Sequence, residues 1–515
     1  MSSETSAWAR VPLGEIAAKI VDGSHNPPRE ASSGHPMLSA RNVENGRLIW
    51  NSFRLVGEAD FEREHARTRI ASGDVLLTIV GSIGRTTVVR DDEKLFTLQR
   101  SVAVLSVPDL DPDFVSYQFQ APLFQQLLAK EARGTAQKGV YLRTLGSAEV
   151  TIAPLAEQHR IVEALDSYLS RLDAAVANLE RVQAKLKAYR SSVLKAAVEG
   201  RLVPTEAAIA RQENRDYEPA EALLARILKD RRRRWEEAEL ARLKKAGKPP
   251  KDDKWKAKYE EPSPPDTSKL PEVPEGWCWT TVAHLAEVTG GLTKNGAREN
   301  VATRLPYLRV ANVYANTLVL DEMKEIGVDD DELPRVLVEA GDLLIVEGNG
   351  SVDQIGRVAR WDGSISPVVH QNHLIKARFT LRPIERWTLT WLLSPGGRNA
   401  IVDVATSTSG LHTLSISKIE KLPVPLPPLD EQQRVLDDVD HAMSIVDVNE
   451  KAVGANRRRS VRLRQAVLKW AFEGKLVDQD PADEPADKLL ARIRAERSAA
   501  SPTKKTRGRK AKAAS

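Results

Sequence analysis

Apolar residues recur at seven-residue intervals in two long stretches of the chain. In the first, Leu165, Leu172, Leu179, Leu186 and Val193 make one series, and Ile161, Tyr168, Ala175, Val182 and Tyr189 make a second. In the other stretch the matching positions hold Val439, Val446, Val453, Ser460 and Val467, with Val435, Ala442, Asn449, Asn456 and Leu463, a weaker and partly polar seam. Four heptads of this kind predict coiled-coil helices. Each stretch starts after a proline, which cannot continue a helix upstream, and ends in Glu-Gly at Gly200 and Gly474, where a glycine cap is expected. About 45 residues at ~1.5 Å each predict rods of roughly 65 to 70 Å.

The rods belong to an internal repeat. PLAEQHRIV at 154–162 matches PLDEQQRVL at 428–436, and LKAAVEGRLV at 194–203 matches LKWAFEGKLV at 468–477, both at an offset of 274. Identical spacing between the motifs itself argues for helix, because one inserted residue would turn a packed helical face by about 100° whereas a loop would absorb it. Beyond the rods, EPAEALLARI at 218–227 matches EPADKLLARI at 484–493. Leu223, Leu224 and Ile227, like Leu489, Leu490 and Ile493, make short apolar stripes at helical spacing. Upstream, Gly73-Asp74-Val75-Leu76-Leu77 matches Gly341-Asp342-Leu343-Leu344-Ile345, and Ala40-Arg41-Asn42-Val43 is similar to Val310-Ala311-Asn312-Val313.

Two further regions, 1–153 and 271–427, contain short β-branched runs (75–80, 86–90, 101–107, 343–346, 365–369) alternating with helical stretches at 112–130 and 384–402. The expected fold class is therefore α+β: two globular α/β domains separated by two long helices that form an antiparallel coiled coil, with a pseudo-two-fold internal repeat. The expected boundaries are a first domain at 1–153, a rod and its following segment at 154–228, and a charged linker at 229–270, partly helical at its start. A second domain follows at 271–427, a second rod and following segment at 428–497, and a disordered basic tail at 498–515. Trp8, Trp277 and Trp279 stand where each domain begins and read as core anchors.

Charge changes this picture little. The net charge is +5, but 229–261 carries 13 basic against 8 acidic residues and 498–515 carries six basic and no acidic ones, which leaves the remainder at −6. Bulk electrostatics therefore does not establish that the folded parts bind nucleic acid. A single cysteine, Cys278, excludes a disulfide framework or a thiolate zinc site within the chain. No long uncharged apolar run and no leader pattern is seen, so a cytoplasmic protein without membrane contact is expected.

The order globular, rod, linker, globular, rod, with PL(A/D)EQ opening and EG(R/K)LV closing each rod, resembles the specificity subunits of Type I restriction-modification systems. PEGWCW at 274–279 and the paired EPAxxLLARI segments add to the resemblance, which spans nearly the whole chain. It implies a subunit without a catalytic site or cofactor, in which each globular target-recognition domain reads one half of a bipartite, asymmetric site in double-stranded DNA. The rods would set the gap between half-sites. Two copies of the scaffold imply two methyltransferase subunits as partners, with restriction subunits that translocate DNA and cleave it. The apolar stripes have two readings, docking on the rods of this chain or binding the methyltransferase, and the resemblance favours the partner.

Residue chemistry weighs against an enzyme. Asn26-Pro27-Pro28-Arg29 is a near miss for the adenine methyltransferase motif, since Arg29 replaces the aromatic residue that stacks on a flipped base, and no glycine-rich cofactor loop accompanies it. No Gly-x-x-x-x-Gly-Lys-Ser/Thr motif is present. Lys251-Asp252-Asp253-Lys254 lies in charged linker without the strand a nuclease site needs. His370, His373 and His412 lack the further ligands of a metal site. The alternatives are a methyltransferase using Asn26-Pro27-Pro28 and a coiled-coil scaffold that binds no DNA.

Base contacts need Arg, Lys, Asn, Gln or small polar groups on exposed loops. Three loop pairs qualify. Ser82 and Arg85 pair with Asn349, Gln354 and Arg357; Gln99 and Arg100 with Gln371, Asn372 and His373; Gln137 and Lys138 with Ser409 and His412. Arg41, Asn42 and Asn312 in the paired upstream segments are further candidates.

Overall fold

In the computed structural model the heptad stretches are single helices of 44 residues each. The helices that carry the argument are α1 (Leu155–Val198), α2 (Ala220–Lys245), α3 (Leu429–Phe472) and α4 (Ala486–Ala500). The structure describes residues 7–134, 138–349, 351, 354–381, 383–408 and 411–500. None of the helices among them is long and apolar enough to cross a membrane.

The chain divides into two compact units, 1–181 with 453–515, and 182–452. Each contains one sheet-bearing domain, half of α1 and half of α3. In the first unit, β1 (Ala9–Pro12) pairs with β6 (Glu149–Ile152), and a four-stranded antiparallel sheet runs in the order β2 (Lys19–Asp22), β5 (Val102–Ser106), β3 (Val75–Thr78), β4 (Thr86–Val88). The second unit repeats this plan. There β7 (Cys278–Thr281) pairs with β12 (Pro423–Leu426), and the sheet order is β8 (Ala286–Gly290), β11 (Leu374–Phe379), β9 (Leu343–Val346), β10 (Val358–Arg360). Both central strands, VLLT and LLIV, are buried on both faces and read as continuous apolar runs for that reason.

Every repeated motif has the same structural job in both units. Glu157 accepts a hydrogen bond from Trp8 Nε1 at 2.9 Å, and Glu431 accepts one from Trp277 Nε1 at 2.9 Å, so the motif glutamate ties the rod to the start of its domain. Next to it, Gln158 Nε2 donates to Ala153 O and Gln432 Nε2 to Pro427 O, satisfying carbonyls just ahead of each helix. Arg160 pairs with Asp483 at 2.6 Å and Arg434 with Glu206 at 2.7 Å, so each rod's first turn holds the segment that follows the other rod. At the far ends Gly200 and Gly474 take left-handed φ values of 65° and 67°, and the next residue's N–H reaches back to Ala196 O or Trp470 O. Asp74 and Asp342 each accept the backbone N–H three residues upstream and so shape the turn into the central strand.

Antiparallel pairing of α1 and α3 is marked by two ion pairs that are equivalents under the 274-residue repeat. Arg190 meets Asp447 at 2.7 Å in the second unit, and Arg464 meets Asp173 in the first. The heptad reading needs one correction. Leu165, Leu172, Leu179, Leu186 and Val193 do face inward, but Tyr168, Val182 and Tyr189 are 47%, 42% and 48% exposed. Ile161 of the second series is fully buried, but further along the covered companions are Leu169, Val176, Arg190 and Ala197, reached from the leucines by steps of four and three, with Gln183 at the position between Val176 and Arg190 exposed. Both flanks of the leucine row keep the heptad, and the domain packed against one side of the rod selects which is covered.

Two other expectations are corrected. The helical stretches 112–130 and 384–402 are each two helices, broken at Ala121 before Pro122 and at Ser394 before Pro395, because a residue preceding proline is forced out of the α region. The run 365–369 pairs only from Val369, since Pro367 has no N–H to give a ladder. In the charged segment after the first rod, α2 continues to Lys245, and Trp235 stacks on Trp255 with ring centroids 6.1 Å apart, folding part of that segment back on the helix.

The apolar stripes turn inward. Leu489, Leu490 and Ile493 are 4%, 3% and 1% exposed in the first unit's core beside Phe114, Ile161 and Leu165. Leu223 and Ile227 are equally buried beside Trp277 and Leu285, with Leu224 partly covered. Their partner-binding role is therefore withdrawn: side chains spent on the chain's own core present no face to a second protein. The stripe helices start alike, Ala220 N–H donating to Gly276 O and Ala486 N–H to Ala7 O.

Candidate nucleic-acid interface

At one end of each four-stranded sheet the backbone stitches separate loops into one edge. In the first domain Ser24 bridges Gln99 in parallel, and the Arg100 N–H donates to Ser24 O at 2.9 Å. Ile79 N–H donates to Ser101 O, Val140 N–H to Ile79 O, and Gly81 N–H to Lys138 O. Ala40 N–H donates to Ser101 Oγ, which brings the turn carrying Arg41 alongside. The second domain repeats the stitching. Leu292 bridges Gln371, Asn372 N–H donates to Leu292 O, Glu347 N–H to His373 O and Leu414 N–H to Glu347 O, while Asn349 pairs with His412 in a short ladder.

The three loop pairs picked out in the sequence thus do converge within each domain. In the first, Arg41, Ser82, Arg100 and Lys138 are exposed and Gln99 half-buried. In the second, Gln354 and His373 are exposed, with Gln371, Asn372 and His412 half-buried. Glu347 holds the His373 ring by a 3.1 Å contact to Nδ1. Gln137 and Ser409 lie outside the described residues.

Four candidates do not belong to this edge. Asn42 is 1% exposed and Asn312 2% exposed, and both amides are used internally: Nδ2 donates to Ile49 O and Asn51 O in one case and to Val319 O in the other, while Oδ1 caps the preceding turn. Arg85 lines a cleft of 880 Å³ beside α1 with Glu44, Asp166 and Asp173. Its repeat equivalent Arg357 packs over the Tyr314 ring at 4.7 Å and donates to Val310 O. The Asn42 and Asn312 amides and the Arg357 guanidinium, already engaged within the fold, offer no free donor set to a base, whereas Arg85 is exposed and set apart only by its place in the cleft.

His370, beside this edge in sequence, is not part of it. It is fully buried with Nδ1 against Leu374 O at 2.9 Å, and burial pushes its pKa down to about 3, so the ring is neutral and structural. Among the described residues no group of three or more His, Cys, Asp or Glu is placed to hold a metal. Beneath the second edge, Lys376 is buried and donates to Arg335 O and Leu337 O at 2.7 and 2.8 Å, and burial pushes its pKa down to about 8.

One loop pair at the edge was missed by the sequence reading, the segments that follow Ser24 and Leu292. Each comes after a glycine that admits no side chain: a Cβ on Gly23 would stand 2.2 Å from Leu98 O, and one on Gly291 2.3 Å from His370 O. The shared pattern of two β-branched residues followed two positions on by a glycine, Ile20-Val21 before Gly23 and Val288-Thr289 before Gly291, was the available signal.

Residues 6–184 match the family model of the Type I restriction modification DNA specificity domain. The Type I restriction enzyme EcoKI specificity subunit of Escherichia coli (strain K12) is 25% identical over 407 residues, covering 76% of this chain and 74% of that protein. The StySPI specificity subunit of Salmonella potsdam is 23% identical over 530 residues, covering 98% of both. A solved chain described under complex assembly and conformational transition of the type I R-M system superposes with a TM-score of 0.59 at 17% identity, over 92% of this chain and 100% of the other, and so shares the fold.

Proposed function

Because the chain belongs to the specificity-subunit family of Type I restriction-modification systems, we propose that it reads a bipartite, asymmetric sequence in double-stranded DNA, one half-site per globular domain. The observation that carries this is the pair of equivalent loop edges built on the same sheet but differing in most of their side chains: both carry a glutamine, Gln99 or Gln371, beside arginine, lysine and serine on one and asparagine and histidine on the other. Equivalent scaffolds place the reading groups alike, and unlike groups select unlike bases. The rods, equal in length and in motif spacing, set the gap between half-sites.

In this reading the chain contributes recognition and no catalysis. It acts in the cytoplasm, with two methyltransferase subunits and, in the full complex, restriction subunits. With the apolar stripes consumed by the cores, the partners dock elsewhere; the rods carry exposed Tyr168, Tyr189, Val448, Val461 and Trp470.

The test is footprinting of the chain with its methyltransferase subunits on random-sequence duplexes. Protection of a two-part motif with a fixed gap, weakening as salt rises through loss of counterion release, is expected; protection without sequence preference would overturn the proposal. Transfer of label from S-adenosylmethionine by the chain alone would instead favour a methyltransferase built on Asn26-Pro27-Pro28.

A further inference from the structure

The loop at 25–29 is left over from the sequence analysis, where Asn26-Pro27-Pro28-Arg29 fails as a methyltransferase motif. Its place in the fold gives it another use. Ser24 is locked to Gln99 and Arg100 by the parallel bridge and a 2.9 Å hydrogen bond, so the chain leaves the sheet directly beside the candidate reading residues. His25 is anchored by Asp22 at 2.7 Å, and Asp22 is held in turn by Arg67 at 2.8 Å. On the other side Arg54 Nη1 donates to Pro28 O at 2.7 Å. Between these anchors Pro27 and Pro28 fix two φ angles and remove two backbone donors.

Asn26 is thus the one residue between two tethers and a proline pair, and its side chain is exposed with no hydrogen-bond partner among the described residues. An asparagine presents a donor and an acceptor side by side, the pattern that pairs with N6 and N7 of adenine in the major groove. Holding it on a stiff loop lowers the entropy lost when it docks. At the repeat-equivalent position, 268 residues on, stands exposed Lys294, whose chemistry suits guanine or phosphate instead.

We propose that Asn26 is a specificity-determining residue of the first domain, reading an adenine edge in the first half-site. This rests on the DNA-reading function proposed above and adds a residue, a base class and a half-site to it.

The experiment compares the wild-type chain with the Asn26→Ala and Asn26→Asp variants, each assembled with its methyltransferase subunits, by selection from random duplexes and by sequencing of methylated products. Expected is a loss of preference at one adenine-containing pair of the first half-site, with affinity for the wild-type site falling about ten- to a hundredfold. The second half-site, the gap and the slope of affinity against salt stay unchanged. Asn26→Asp, which keeps the shape but replaces the donor with a second acceptor and adds a negative charge, loses the adenine preference as Asn26→Ala does and binds the wild-type site more weakly still. An unaltered motif and affinity would overturn the assignment, and so would a uniform loss across all sequences with a shallower salt slope, which would mark a backbone contact. If the wild-type complex itself shows no preferred sequence, the DNA-reading function fails rather than this residue.

Discussion

Glu431 shows how much of a short motif is spent on holding the fold. It is fully buried, accepts from Trp277 Nε1 and from the Glu206 N–H at 2.8 Å, and burial raises its pKa above the usual carboxylate range. Glu431→Ala would strand two donors in the core of the second unit, and a loss of about 2–4 kcal/mol is expected in urea unfolding. Glu157→Ala should cost less, because Trp8 remains half-exposed. Lys376 yields a pH dependence. Its pKa of about 8 in the folded chain lies below the ordinary 10.5, so between these values the unfolded chain holds a proton that the folded one has released. Stability from this group is therefore complete above 10.5 and is lost as pH falls through about 8. The stability difference between the wild type and Lys376→Met should grow by about 1–3 kcal/mol from pH 8 to 10.5; a flat difference would mean the amine is not held in the core.

At the scale of elements, α2 and α4 are the clearest departure from the sequence reading. Five of their six stripe residues are core, so Leu223→Ala and Leu490→Ala should each destabilise their unit by about 2–5 kcal/mol, read as a shifted melting transition. Intact stability with loss of methyltransferase binding would restore the partner role. The existence, length and caps of the rods were legible because heptads, a preceding proline and a closing glycine are local signals. The covered flank was not, since Leu165 and Leu172 can be joined through Tyr168 or through Leu169 with the heptad intact. Most candidate reading residues were legible as polar groups on short loops between strands. Asn42, Asn312 and Arg357 were misread because a polar side chain looks the same in sequence whether it faces solvent, caps a neighbouring turn or packs on a ring.

Across the whole molecule the duplication sets both architecture and expectation. Inserting four residues at equivalent positions of both rods should change the gap in the methylated motif and leave both half-sites as they were; an unaltered gap would remove the rods from that role. The ion pairs Arg190–Asp447 and Arg464–Asp173 are equivalents on exposed surfaces, and such pairs contribute little energy, so they mark the antiparallel register rather than enforce it. Repetition, spacing and capping are properties of residues near one another along the chain. From them alone came two copies of one plan, each a sheet-bearing domain followed by a rod. Which faces those elements bury, and which loops share an edge, depends on partners distant in the chain: Ser24 with Gln99, Leu489 with Ile161, Trp277 with Glu431. Periodicity tells a side chain how it is spaced from its neighbours, but burial is assigned only by whatever packs across from it.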